Sequence, residues 1–183
     1  VVAVKADSPY KTIEELVAAA KEKGNLKAST NGNKASNHTA AQLLAKSAGF
    51  KYKAIPYGGT ADQLLALRQG EVDFTCAKVA DVAKLVKGDK PELRVLAVFN
   101  TKRDPELPNV PTLGEKGLYP EWYGSARALV APKGTKPEVI QYYVEAFKKT
   151  MQDPAVIEAH KKAGMALDFK DNKELGDLIK AQD

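Results

Sequence analysis

The apolar residues of this chain change their period repeatedly. Short strand-like runs alternate with stretches in which apolar positions recur every three to four residues. That order most constrains the fold, because strands separated by helices build a sheet that is largely parallel and covered by helices. The strand candidates are Val1–Val4, Leu26–Ser29, Tyr52–Ile55, Val72–Cys76 and Leu93–Phe99. The last is nearly all apolar, as a strand buried on both faces would be. Ala128–Ala131 reads as a sixth.

Helix signals fall between these runs. Thr12 and Glu15 form a capping box ahead of Ile13, Leu16, Val17 and Ala20, which share one face, and Gly24 ends that helix. Thr60 with Gln63, Thr112 with Glu115 and Thr135 with Glu138 repeat the box, and Val79, Val82, Ala83 and Val86 give another helix its buried stripe. After Pro132 three helical segments follow: Val139 to Phe147, a second opened by Asp153 and Pro154, and a third marked by Leu175, Leu178 and Ile179. The expected organisation is an α/β lobe over residues 1–130 and a helical tail over 131–183.

With 183 residues, 44% of them hydrophobic, the chain has enough apolar surface for an ordinary core. No apolar run reaches the length of a transmembrane helix. Val1 begins inside a strand-like run, so the expectation is a fragment of a longer precursor whose targeting signal lies upstream. The net charge of +5 favours small anions, but the lysines are scattered without interleaved aromatics, so no nucleic-acid partner is expected.

In an open α/β sheet, ligands bind beyond the carboxyl ends of the strands, where loops lead into helices. Three loops qualify. Thr30 to His38 (TNGNKASNH) offers Thr30, Asn31, Gly32, Asn33, Ser36 and Asn37, mostly neutral donors, with Lys34 among them. Tyr57, Gly58, Gly59 and Thr60 form the second, where backbone N–H groups at a helix start can meet a carboxylate. Ala77 and Lys78 form the third.

Catalytic and metal chemistry find less support. Ser36 and His38 have no acidic residue nearby in sequence to orient the histidine, so they read as capping and packing groups. His160 shares an apolar face with Val156 and Ile157, and Cys76 ends an apolar strand as a core residue. Two histidines and one cysteine, widely spaced, match no metal-site spacing, and neither GxGxxG nor GxxxxGK[ST] occurs. No metal and no cofactor are expected.

Five segments carry a resemblance: SPYKTIEELVAAAK, LKASTNGNKASNHTAAQLL, AIPYGGTADQLLALRQGEVDFTCA, LRVLAVFNTKRDPELPNVPTLGEKG and LVAPKGTKPEVI. Together they resemble the substrate-binding proteins of tripartite tricarboxylate transporters, the TctC or Bug receptors. PYGGT followed by GEVD is the most specific piece, with TKRDPELPNVPTLGEKG. The resemblance implies a type II periplasmic-binding-protein-like fold and a receptor, not an enzyme, for a small organic anion, often a di- or tricarboxylate. It also implies membrane transporter subunits as partners and a periplasmic or other extracytoplasmic location, as a membrane-anchored lipoprotein in a Gram-positive organism.

The chain then corresponds to the second lobe and the tail that returns to a first lobe missing here. The family's second-lobe contacts fall on Thr30 to Ser36 and on Tyr57, Gly58, Gly59 and Thr60. The chain departs from the pattern at Lys34 and Ala35, where a Gly-Thr pair is usual, and at Ala77 and Lys78, where an Asp is usual. Both departures imply a ligand of higher negative charge. Without the first lobe, the exposed apolar stripes of the tail are expected to drive dimerisation or a non-native packing. The competing expectation is the cytoplasmic, ligand-sensing effector domain of a LysR-type regulator, which shares a similar fold.

Overall fold

In the computed structural model, which describes residues 1–163, 165 and 167–180, the period-two and period-three-to-four segments become a layered α/β unit followed by helices. The strands are β1 (Val2–Lys5), β2 (Lys27–Thr30), β3 (Lys53–Pro56), β4 (Phe74–Cys76) and β5 (Leu93–Ala97). The helices are α1 (Ile13–Lys23), α2 (Ser36–Ala48), α3 (Thr60–Gln69), α4 (Val79–Val82), α5 (Pro137–Met151), α6 (Pro154–Lys162) and α7 (Asn172–Lys180). The chain divides into two compact units, Val1–Ser125 and Ala126–Asp183.

The five strands form one sheet in the order β3-β2-β4-β1-β5. β2 runs parallel to both β3 and β4, whereas β1 is antiparallel to β4 and β5. The sheet is thus parallel-rich with one reversed strand, and alternation of strand and helix signals carries no information about that reversal.

Alternating side chains of β1 explain why it tolerates no polar residue along its inner length. Val2 and Val4 join one core with Ile13, Leu16, Leu44, Phe74, Cys76 and Leu113. Val1 and Ala3 join another with Leu64, Leu67, Val82, Leu93 and Leu107. The sheet is therefore covered on both faces, by α1 and α2 on one side and α3 and α4 on the other.

The first capping box forms as its spacing requires: Thr12 accepts from the Glu15 N–H at 3.2 Å, and Glu15 accepts from the Thr12 N–H at 3.3 Å. Gly24 closes α1 at φ 65°, a left-handed conformation that glycine adopts without steric cost. The Thr112 and Glu115 box also forms, with bonds of 3.0 and 2.9 Å, but it closes a turn rather than an α-helix.

Two other boxes do not form. Thr135 donates instead to the Pro132 carbonyl at 2.8 Å, and Lys136 caps α5 without a side-chain bond. At α3 the cap is Gly59, and Gln63 turns inward to a buried network. The expected strand at Ala128–Ala131 is also absent: Leu129 and Val130 are 65% and 92% exposed, and no strand of the described residues pairs with them. β5 is shorter than its apolar run suggests and lies at the sheet edge, with Arg94 and Val95 half-buried.

In the unit Ala126–Asp183, Asp153 caps α6 by accepting from the Ala155 N–H at 2.8 Å, with Pro154 in the first turn. None of α5, α6 or α7 buries a residue. Val139, Tyr142, Tyr143 and Phe147 of α5, Ile157 of α6 and Ile179 of α7 all stand exposed.

Candidate functional site

β2, β3 and β4 run parallel, so Thr30, Pro56 and Cys76 all end at one edge of the sheet. The reversed β1 begins at that edge, where Val2 pairs with Cys76 and with Ala97. The loops into α2, α3 and α4 leave from the same edge, which is where the sequence placed the candidate site.

The first two loops are tied together by backbone. The Tyr57 N–H donates to the Thr30 carbonyl at 2.9 Å, and the buried Thr30 hydroxyl donates to the Gly32 carbonyl at 3.3 Å. Lys34 adopts φ 58°, a left-handed conformation seldom taken by a residue with a side chain. Its N–H donates to His38 Nδ1 at 3.0 Å, which occupies that ring nitrogen with a contact inside the loop.

Asn31 is half-buried, and its Oδ1 is shut from solvent with no partner. Asn33 and Lys34 are exposed. Ser36 opens α2, and its carbonyl accepts from the Tyr123 hydroxyl at 3.3 Å, while the Tyr123 ring packs edge-on against Phe99.

Gly59, the cap of α3, has φ 174°, an extended conformation open to any residue, and a Cβ there would meet nothing within 4 Å. At Gly58 a Cβ would meet only Asp62 Oδ2, at an ordinary 3.4 Å. Neither strain nor crowding within the chain calls for glycine at these two positions, and both leave the backbone at the start of α3 open to close approach.

The Tyr57 hydroxyl donates to Glu71 Oε2 at 3.1 Å, beyond the far end of α3, while its N–H stays bonded to Thr30 in the candidate site's loops. Burial, and then Glu71, raise the phenol's pKa above the usual tyrosine value. Lys78 caps α4 without a side-chain bond and is exposed. α4 has only one turn, so Lys78 offers charge and not a helix N-terminus. Asp62, in the first turn of α3, places a carboxylate near the same rim.

Beneath the loops lies a network that the sequence reading missed. Gln63 is fully buried, and its Nε2 faces Thr75 Oγ1 at 2.5 Å and the carbonyls of Cys76 and Ser29 at 2.7 and 3.3 Å. Its Oε1 accepts from Asn37 Nδ2 at 2.9 Å, and Asn37 is also buried. A glutamine on an otherwise apolar helical stripe with Leu64 and Leu67 was the available signal. Cys76 is buried beside this network, and burial pushes its thiol pKa up to about 12, where it is protonated and inert. Among the described residues no cluster of three or more metal-ligating side chains occurs.

Comparison with known proteins gives this geometry its family. The profile of the tripartite tricarboxylate transporter family receptor (TctC) matches residues 1–183. The chain is 38% identical over 152 residues to the UPF0065 protein in the gbd 5' region of Cupriavidus necator, covering 82% of this chain and 45% of that protein. Its fold matches a TctC solute-binding protein from Polaromonas, solved without ligand, with TM-score 0.89 and 28% identity over 98% of this chain and 61% of that one.

A Rhodopseudomonas palustris protein solved with adipate shares the fold at TM-score 0.79 and 22% identity, over 99% of this chain and 60% of the other. The chain spans about half the length of the curated relatives it matches. The full-length family match leaves the alternative of a LysR-type effector domain without support. An α/β sheet with three loops at one edge, read together with that match, places this chain in the tripartite tricarboxylate transporter receptor family.

Proposed function

We propose that this chain carries one ligand-gripping lobe and the tail of an extracytoplasmic receptor. The receptor captures a small organic anion, a di- or tricarboxylate, and hands it to the membrane subunits of its transporter without chemical turnover. It works in the periplasm, or tethered as a lipoprotein where there is only one membrane. Residues 1–130 form the ligand lobe, and residues 131–183 pack onto a first lobe supplied by the rest of the protein. The uncovered apolar faces of α5, α6 and α7 fit such a partner.

One observation carries the reading. Gly58 and Gly59 are demanded neither by backbone strain nor by neighbouring atoms, yet they open the start of α3 beside the first turn of α2. The Asn37–Gln63 contact brings these two helix starts together, and paired N-termini of this kind favour a carboxylate through their free N–H groups and dipoles. Thr30, Asn31, Gly32, Asn33, Lys34, Ser36, Gly58, Gly59, Thr60 and Lys78 line or approach that opening, and Tyr57 joins them through its backbone.

Thermal unfolding of the full-length gene product against a panel of organic acids tests this. A ligand of the native state raises stability by about 2.7 kcal/mol at a hundredfold excess over its dissociation constant. Stabilisation by di- or tricarboxylates supports the proposal. Stabilisation only by uncharged or cationic solutes would overturn the ligand class.

A further inference from the structure

Gln63 occupies a position where the fold alone asks only for an apolar side chain. It shares its face of α3 with Leu64 and Leu67 and is fully shielded from solvent. A buried amide there is tolerated only if its polar atoms are satisfied, and here they are. Nε2 reaches Thr75 Oγ1, the Cys76 carbonyl and the Ser29 carbonyl, while Thr75 Oγ1 itself donates to the Ser29 carbonyl at 2.9 Å. Oε1 receives Asn37 Nδ2.

One side chain in the first turn of α3 therefore touches β2, β4 and the first turn of α2. These are the elements from which the candidate site's loops depart. The Gln63 N–H also donates to the Gly59 carbonyl at 3.1 Å, so the same residue closes the helix turn that the glycines open.

We propose that Gln63, through Asn37, is a positioning residue that fixes the spacing between the starts of α2 and α3, and thereby sets the affinity for a carboxylate held between them. The inference rests on the ligand class proposed above. Residues that merely fill the core transmit no such requirement, since an apolar side chain of similar volume packs as well. A hydrogen-bonded amide holds two helices at one separation, and donors displaced by a fraction of an ångström lose much of their bond to a fixed oxyanion.

The test compares the full-length receptor with Gln63→Met, Asn37→Ser and the double variant, using adipate and citrate in isothermal titration calorimetry well below each unfolding midpoint. Ile13→Val, in α1 and away from these loops, serves as a variant weakened in stability only. The expected result is a loss of tenfold or more in affinity for Gln63→Met, a similar loss for Asn37→Ser, and no further loss when the two are combined, with Ile13→Val unchanged.

If the unaltered receptor binds while Gln63→Met binds equally well, or if the two losses simply multiply, the positioning role is overturned and the ligand class stands. If the unaltered receptor binds neither acid nor any other carboxylate, the ligand class falls and the inference falls with it.

Discussion

Buried polar atoms in this chain sort into those with partners and those without, and the second group makes the sharper predictions. The Tyr52 hydroxyl is shut from solvent with no hydrogen-bond partner, and burial pushes its pKa up to about 12. The ring itself packs edge-on against Phe50 and Phe74, at 6.4 and 5.7 Å between centroids. Removing an unpartnered hydroxyl while keeping the ring relieves a desolvation cost, so Tyr52→Phe is expected to leave stability unchanged or raise it by up to about 1 kcal/mol. The urea midpoint at constant slope reads this directly, and a marked fall would mean that the hydroxyl has a partner.

Lys34 and Lys78 are both exposed. If they supply charge to the ligand opening, replacing both by Met weakens binding of a tricarboxylate more than binding of a monocarboxylate. Titrations of the full-length receptor with citrate and acetate would show the difference, and equal losses would assign both lysines to the solvated surface.

At the scale of elements, local chemistry was readable where a bond spans three or four residues. The Thr12 and Glu15 box, the Gly24 stop and the Asp153 cap formed as their spacing demanded. The five strands β1 to β5 also appear at their expected places, within about two residues at each end. What failed was decided at longer range. Gln63 has the spacing of a capping residue but finds four partners from β2, β4 and α2, which no window of neighbouring sequence contains. Ala128–Ala131 has strand composition, yet a strand exists only where another offers its edge.

The candidate site was legible as three loops because the parallel order puts strand ends together, while the turning of Tyr57 toward Glu71 depended on packing around α3. One local box also makes a pH prediction. The Thr112 N–H, and then Arg103, hold the Glu115 carboxyl below the usual carboxylate range. A folded-state pKa lowered in this way gives stability that is present above the unfolded value and disappears as pH falls through the folded one. Glu115→Gln is therefore expected to flatten the acid limb of the stability profile measured by unfolding at stepped pH, by lowering stability slightly at neutral pH and not at the acid end.

For the whole molecule, the contrast between the two units dominates. Val1–Ser125 holds both buried cores, whereas the helices of Ala126–Asp183 bury none of their residues. Exposed Tyr142, Tyr143 and Phe147 on one helix make an apolar surface that water disfavours. The 183-residue chain by itself is expected to self-associate through this surface, sedimenting above its 19.8 kDa monomer mass as concentration rises. Tyr142→Glu with Phe147→Glu should return it to monomer, and an unchanged profile would place the contact elsewhere.

The strand order has a further consequence for how the chain acquires its shape. Among the strands of this chain, β1 and β2 are consecutive in sequence yet never touch, and the three-residue β4 is what joins them. Within this sheet, until residues 74–76 arrive β2 can pair only with β3, and β1 has neither of its partners, β4 and β5. Assembly is therefore a late, nearly all-or-none closure across distant segments, and such closures are slow. A chain released before β4 would carry an apolar strand with both of the edges this sheet pairs left open, the condition under which chains aggregate or are held by chaperones.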